Sequence, residues 1–162
     1  MYKYFLIILS ILFSGCNPLA KNEKENFKDM TLKNLTYSHM AGMSGDIFKF
    51  NLVTNLGLNK IYQENNYKYS HFKCDNLEKY IITGEILIDE EKLDNGKYTS
   101  PGYFKVCEDE SMNICINKSQ LEKILFNNMS CRVIFGGFLK DAKVIADDIL
   151  ISKETIRKSY FK

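Results

Sequence analysis

The sequence predicts a mainly β chain carrying one helix, and three observations predict it. Tyr80, Ile82, Gly84, Ile86 and Ile88 alternate with Ile81, Thr83, Glu85, Leu87 and Asp89, the period of two of a long half-buried strand. Residues 103–108 and 113–117 alternate in the same way on either side of Ser111, as the arms of a hairpin do. Residues 131–139 and 143–152 are two further apolar, β-branched runs, the first interrupted by Gly136-Gly137 and the pair separated by a turn at Asp141. With 162 residues, 45% hydrophobic and 26% charged, the chain is one domain or two small ones, and neither disordered nor collagen-like. A net charge of +2, with Arg132 and Arg157 the only arginines, argues against a strong polyanion binder.

The amino terminus sets the address. Lys3 is the first charge, and residues 4–13 form an apolar run of ten. A membrane span needs about twenty, so the run has the length of a signal-peptide core. Ser14 and Gly15 then lead to Cys16. Phe13-Ser14-Gly15-Cys16 resembles the lipobox of bacterial lipoproteins, with Phe where Leu is commoner. The resemblance implies removal of residues 1–15 and acylation of Cys16 by diacylglycerol and a palmitate-type chain. Several acyl chains hold a protein firmly on a bilayer where one does not. Asn17 in place of Asp implies, by the same resemblance, the outer membrane facing the periplasm in a two-membrane cell, and the outer surface of the membrane in a one-membrane cell.

Residues 16–29 are polar and charged, and read as a lipidated tether. Residues 30–79 form an N-terminal extension with a strand at 47–53, a turn or loop at 40–45 after His39, and a short strand at 67–74. The strand at 80–89 opens the better-defined part. Asp94-Asn95-Gly96 and Pro101-Gly102 mark a loop. After the hairpin, Ser119 caps a helix running to 127, with Leu121, Ile124 and Leu125 on one stripe and Glu122 completing a capping box. Residues 157–162 are a basic tail.

The order strand, strand, strand, helix, strand, strand over residues 80–156 resembles an OB-fold, a five-stranded Greek-key barrel with its helix between the third and fourth strands. Gly84 and Gly136-Gly137 suit the bends such a barrel requires. The resemblance implies a curved face and loops able to bind a ligand.

Beyond Cys16 there are four cysteines, an even number that in an exported chain suggests disulfides. Three pairings exist. In the hairpin register Val106 faces Ile116 and Cys107 faces Cys115, so Cys107–Cys115 is expected, with Cys74–Cys131 following by subtraction. The spacing suits no zinc knuckle, and His39 and His71 are the only histidines, so neither metal nor cofactor is expected.

Catalytic patterns are thin. Gly42-Met43-Ser44-Gly45-Asp46 has Asp where a nucleophile elbow needs its second glycine. With His39 and His71 elsewhere in the chain, a Ser-His-Asp triad around Ser44 is conceivable, and a simple turn is the stronger reading. Asp89-Glu90-Glu91 and Glu108-Asp109-Glu110 are consecutive carboxylates, more suited to solvated turns than to opposing acid and base. Tyr98, Tyr103, Phe104, Phe135 and Phe138 suggest either a base-stacking platform or core, and the near-neutral charge favours core, so no nucleic-acid partner is expected. Tyr67 to Asp75 is similar over a few residues to the start of periplasmic C-type lysozyme inhibitors, and no site is carried over from it. The sequence thus points to a non-catalytic, lipid-anchored binding protein of the cell envelope with a protein partner, of inhibitor or immunity type. The other reading is an accessory subunit of an envelope complex. It leaves open whether a small ligand or glycan is bound.

Overall fold

The computed structural model describes residues 29–39, 46–75, 77, 79–124 and 127–160. Cys16, the signal segment, the tether up to residue 28 and the 40–45 loop lie outside the described residues, so those expectations stay with the sequence.

The chain is mainly β. One antiparallel sheet holds eight strands: β1 (Thr31–Ser38), β2 (Ile47–Thr54), β3 (Tyr69–Cys74), β4 (Ile81–Ile86), β5 (Lys92–Asp94), β6 (Lys97–Cys107), β7 (Met129–Gly137) and β8 (Lys140–Ile151). Among the described residues three helices accompany it: α1 (Leu58–Glu64), α2 (Lys118–Leu121) and α3 (Lys153–Tyr160). The strand order is β1-β2-β6-β4-β3-β7-β8, with β5 pairing only β6. The expected five-stranded OB-like barrel with one helix is therefore corrected to eight strands and three helices. The cause is that first-half strands join the same sheet: β2 lies against β6, β3 between β4 and β7, and β1 extends the sheet beyond β2.

The sheet is open in its hydrogen-bond path, yet it curls. Phe50 on β2 and Phe72 on β3 are three strands apart along the sheet and their rings still lie 4.5 Å apart. Phe48 stacks on Phe104 at 4.9 Å, and Phe72 on Phe104 at 6.0 Å. All four rings are fully or almost fully buried, so the curl encloses an aromatic core. α3 packs against β1, and the edge strands β1 and β8 approach each other there. Ile156 and Tyr160 are the helix's buried residues, and the Tyr160 ring meets Tyr37 edge-on at 5.1 Å.

Gly84 sits where β4 crosses β6 most closely. A Cβ there would lie 1.8 Å from the Tyr103 carbonyl oxygen, so only glycine fits. Gly136 faces Tyr69 across β3 and β7, and a Cβ would strike the Tyr69 ring at 2.2–2.6 Å. Asn95 and Gly96 both have positive φ, the two-residue turn that an Asn-Gly pair favours between paired strands.

Several boundaries differ from expectation. β4 stops at Ile86, and residues 88–90 form a short 3-10 turn. Pro101 and Gly102 belong to β6 rather than to a loop, because Pro101 pairs Asn51 on one side and offers only its carbonyl, to Leu87 N–H, on the other. Asp141 lies within β8, and the turn comes earlier, at 138–139. Residues 113–117 contribute one bridge, Cys107 to Cys115, instead of a strand. The helix after them begins at Lys118, not after Ser119. Asn117 outcompetes Ser119 because its side chain accepts from Gln120 N–H at 3.2 Å while Gln120 Oε1 accepts from Asn117 N–H at 3.0 Å, a closed capping box two residues upstream.

Candidate functional site

The outward side chains of β1, β2 and β6 form a broad concave surface. Alternation places Phe48, Phe50 and Leu52 inside and Lys49 and Asn51 outside. On β6 it places Phe104 and Val106 inside and Tyr103 and Lys105 outside. Cross-strand register then sets Lys49 opposite Tyr103 and Asn51 opposite Pro101. β1 adds Asn34 and Thr36. Asn34 has a positive φ of 54° and sits at a bulge between Lys33 and Thr36, which sharpens the local twist of this edge strand. Leu87 and Glu90 complete the cleft, whose volume is about 670 Å³.

A second cleft of about 310 Å³ shares Leu87 and Glu90 with the first. Tyr62, Tyr69, Lys68, Glu85 and Asp89 line it. The two form one surface divided by the 87–90 turn, with Lys49 and Lys105 on one side and Glu85 and Asp89 on the other. Tyr103 donates to Glu85 Oε2 at 3.2 Å. Burial pushes the Tyr103 hydroxyl up, and the Glu85 charge adds to it. Burial likewise raises Tyr62, followed by the charges of Asp89 and Glu85. Both phenols are therefore held as neutral donors beside carboxylates. Such a surface can bind an extended ligand by stacking on tyrosine and by pairing opposite charges at its two ends.

The carboxylates read as solvated turns divide among several roles. Asp89 and Glu90 line the clefts. Glu91 is structural: it accepts from Leu58 and Asn59 N–H at 2.8 and 3.2 Å, and from the buried Ser100 hydroxyl at 2.8 Å. It holds the first turn of α1 from 33 residues away. Asp109 accepts from Ser111, from Ile114 N–H at 2.8 Å and from Asn113 N–H at 3.4 Å. These bonds hold it below the usual carboxylate range, the Ser111 hydroxyl most of all. Glu110 is lowered chiefly by the Lys73 ammonium at 2.9 Å. The five aromatics weighed as a platform split between faces: Phe104 and Phe135 are core, Tyr98 is half-buried on β6, Tyr103 lines the cleft, and Phe138 is exposed.

The disulfides are Cys74–Cys131 and Cys107–Cys115. Cys74 lies opposite Cys131 on the β3–β7 ladder. None of the four cysteines lines either cleft.

The structure does bring His39 and Asp46 together. They flank residues 40–45, one step beyond the Ser38–Ile47 pair. Asp46 is 2% exposed; its Oδ1 accepts from His39 Nδ1 at 2.6 Å and its Oδ2 accepts from the Tyr37 hydroxyl. Ser44, the third member of the conceivable triad, lies outside the described residues. His71 is remote from this group, with its ring 5.0 Å from Tyr69. Among the described residues, no group of three or more His, Cys, Asp or Glu is gathered to hold a metal, and no helix is long and apolar enough to cross a membrane.

The Lys49–Tyr103–Lys105 face had a partial signal in sequence, since polar or amphipathic residues occupy alternate positions in both segments. Their adjacency had none, because β2 and β6 are some fifty residues apart and pair across the whole domain. No family model, no curated protein and no solved structure matches this chain.

Proposed function

We propose that the protein is a lipid-anchored binding protein of the cell envelope, tethered through Cys16, which takes its ligand non-catalytically on the cleft faced by Lys49, Tyr103 and Lys105. The 670 Å³ cleft on the outer sheet face carries the reading, because it is open, rigidly backed by paired strands and lined by one aromatic hydroxyl between two lysines. The lipobox supplies the address, and two disulfides suit an exported domain. In this reading the curled sheet serves as OB barrels do, offering a curved face to its ligand. An inhibitor or immunity-type role is the concrete version of this reading: a protein ligand with an acidic segment would lie along the lysines. The division of labour among the carboxylates, with Glu91 committed to α1 and Asp89 and Glu90 in one turn, favours binding over acid–base chemistry.

A second reading, an accessory subunit of an envelope complex, has its own observation. β8 is an edge strand, and Leu150 and Val144 on it are exposed, which suits docking along a strand edge.

The test is crosslinking in the exported compartment, comparing the native chain with Lys49→Glu, Tyr103→Ala and Leu150→Lys. A stoichiometric partner lost in the first two variants and kept in the third supports the cleft. Loss only in Leu150→Lys supports the subunit reading, and capture unchanged in all three rejects both surfaces. Cys16→Ser checks the anchor separately: lipid labelling that persists in that variant rejects it.

A further inference from the structure

Two hairpins of this sheet close with two-residue turns, and their chemistry is opposite. Between β5 and β6 the turn is Asn95-Gly96, as local backbone geometry favours. Between β7 and β8, where Gly137 pairs Lys140, it is Phe138-Leu139. These two side chains are 90% and 103% exposed. Nothing in the turn requires large apolar residues, and two adjacent ones projecting fully into water ask for an apolar partner.

The surroundings say which. Lys140 begins β8, and Lys143 follows on the same strand opposite Phe135. Lys68 is tied to β7 through its N–H to the Gly136 carbonyl at 2.7 Å. A Cβ on Gly137 would lie 3.7 Å from Lys140 Cβ and 3.8 Å from Lys68 Cγ, so both side chains spring from the base of the tip. The Lys140 ammonium is held by the Asn65 carbonyl at 2.8 Å, over the Tyr67 ring, and so braces the base of the turn; with Lys68 and Lys143 against Asp141 it makes the foot of this apolar point net basic, the pattern of a segment that enters a bilayer interface while ammonium groups meet anionic headgroups.

Ladder register gives the direction. Lys33, Asn51, Pro101, Leu87, Tyr69 and Gly136 lie in one row across the sheet. Just beyond that row, on the same side, are Asp29, where the described chain begins, and Phe138. The tether from Cys16 therefore enters at the end of the sheet from which the tip projects. Thirteen residues reach at most about 45 Å, so the anchor alone keeps the domain near a membrane without orienting it.

The geometry points to the Phe138–Leu139 tip as a second membrane contact, inserted into the interface of an anionic bilayer and fixing the domain's orientation. This rests on the lipoprotein reading for its setting, while the insertion itself is measurable without it. The chain has no Trp, so Phe138→Trp gives a single local reporter and Ile114→Trp, 60% exposed beyond the opposite end of the sheet, gives its control. The full-length chain is mixed with phosphatidylglycerol-containing vesicles or with phosphatidylcholine vesicles, with and without brominated acyl chains. Expected are a blue shift and bromine quenching for Phe138→Trp, stronger on the anionic vesicles, and neither for Ile114→Trp. In the Cys16→Ser chain, adding Phe138→Ser and Leu139→Ser together should lower vesicle partitioning about tenfold or more. Unchanged Phe138→Trp emission on both vesicles overturns the proposal, as does equal response on neutral and anionic lipid. A shift that appears only with a protein partner present overturns it too and makes the tip a protein contact. Absence of lipid on Cys16 sinks the anchor alone, because quenching in the Cys16→Ser chain judges the tip independently.

Discussion

Asp46 receives the Tyr37 hydroxyl on one carboxylate oxygen and the His39 ring on the other, and it does so almost completely buried. The three residues meet at the end of the β1–β2 ladder, just beyond the Ser38–Ile47 pair. They also tie that ladder to the carboxy terminus, since Tyr37 packs on Tyr160 of α3. A buried carboxylate with two donors is favourable only while both remain. Asp46→Ala strands the Tyr37 hydroxyl, and a stability loss of about 1–3 kcal/mol is expected. Asp46→Asn keeps an oxygen for Tyr37 and should lose clearly less. Urea midpoints of the three proteins decide it, and a native midpoint in Asp46→Ala would show the cluster to be ornamental to stability.

The two disulfides should differ in worth. Cys74–Cys131 closes a separation of 57 residues and Cys107–Cys115 one of 8. Loop-closure entropy in the unfolded chain then gives about 4 kcal/mol for the first and about 2.5 kcal/mol for the second. The first also staples β3 to β7 beside the core, while the second pins an otherwise irregular segment to the end of β6. Paired Cys→Ser variants, compared by thermal melting, are expected to rank in that order. Non-reducing peptide mapping checks the pairing, and a peptide joining Cys107 to Cys74 or Cys131 would reject it.

Legibility tracked how local each cause was. The alternation at 80–89 and the apolar runs at 131–139 and 143–152 gave strands that overlap those observed, Ile81–Ile86, Met129–Gly137 and Lys140–Ile151, because each side chain's face is decided by its own neighbours. β1 was missed for a definite reason. Leu32, Leu35 and Tyr37 are its inward or partly buried apolar residues, and the bulge at Asn34 shifts the phase between the first and the other two, so no period of two survives. α1 was missed because seven residues offer only Leu58 and Ile61 as buried positions, too little for a helical period. Glu91 looked like its neighbours Asp89 and Glu90. Its role depends on Leu58, Asn59 and Ser100, contacts that fold topology creates. The cleft was hidden for the same reason, since it exists only once β2 and β6 are adjacent.

Alkaline pH should expose the tyrosine cluster. Burial, and then the charges of Glu122 and Asp46, push Tyr160 up to about 12. Its hydroxyl donates to the Lys118 carbonyl at 2.6 Å, a bond that only the neutral phenol can make. Burial first, then the Asp46 hydrogen bond and charge, raise Tyr37 as well. An unfolded tyrosine titrates near 10. The folded state therefore holds its phenol protons more tightly than the unfolded chain does. Tyr160's contribution is fully present below pH 10 and is lost as pH rises from about 10 through about 12, on the order of 2 kcal/mol across that window. Tyr160→Phe cannot titrate. It should lose about 1 kcal/mol at pH 8, where the hydrogen bond to Lys118 is gone, and then fall less steeply with pH than the native chain. Urea midpoints measured for both proteins at intervals from pH 8 to 11.5 read the difference. Parallel curves would place the alkaline sensitivity elsewhere, with Tyr37→Phe the next variant to separate from the native slope.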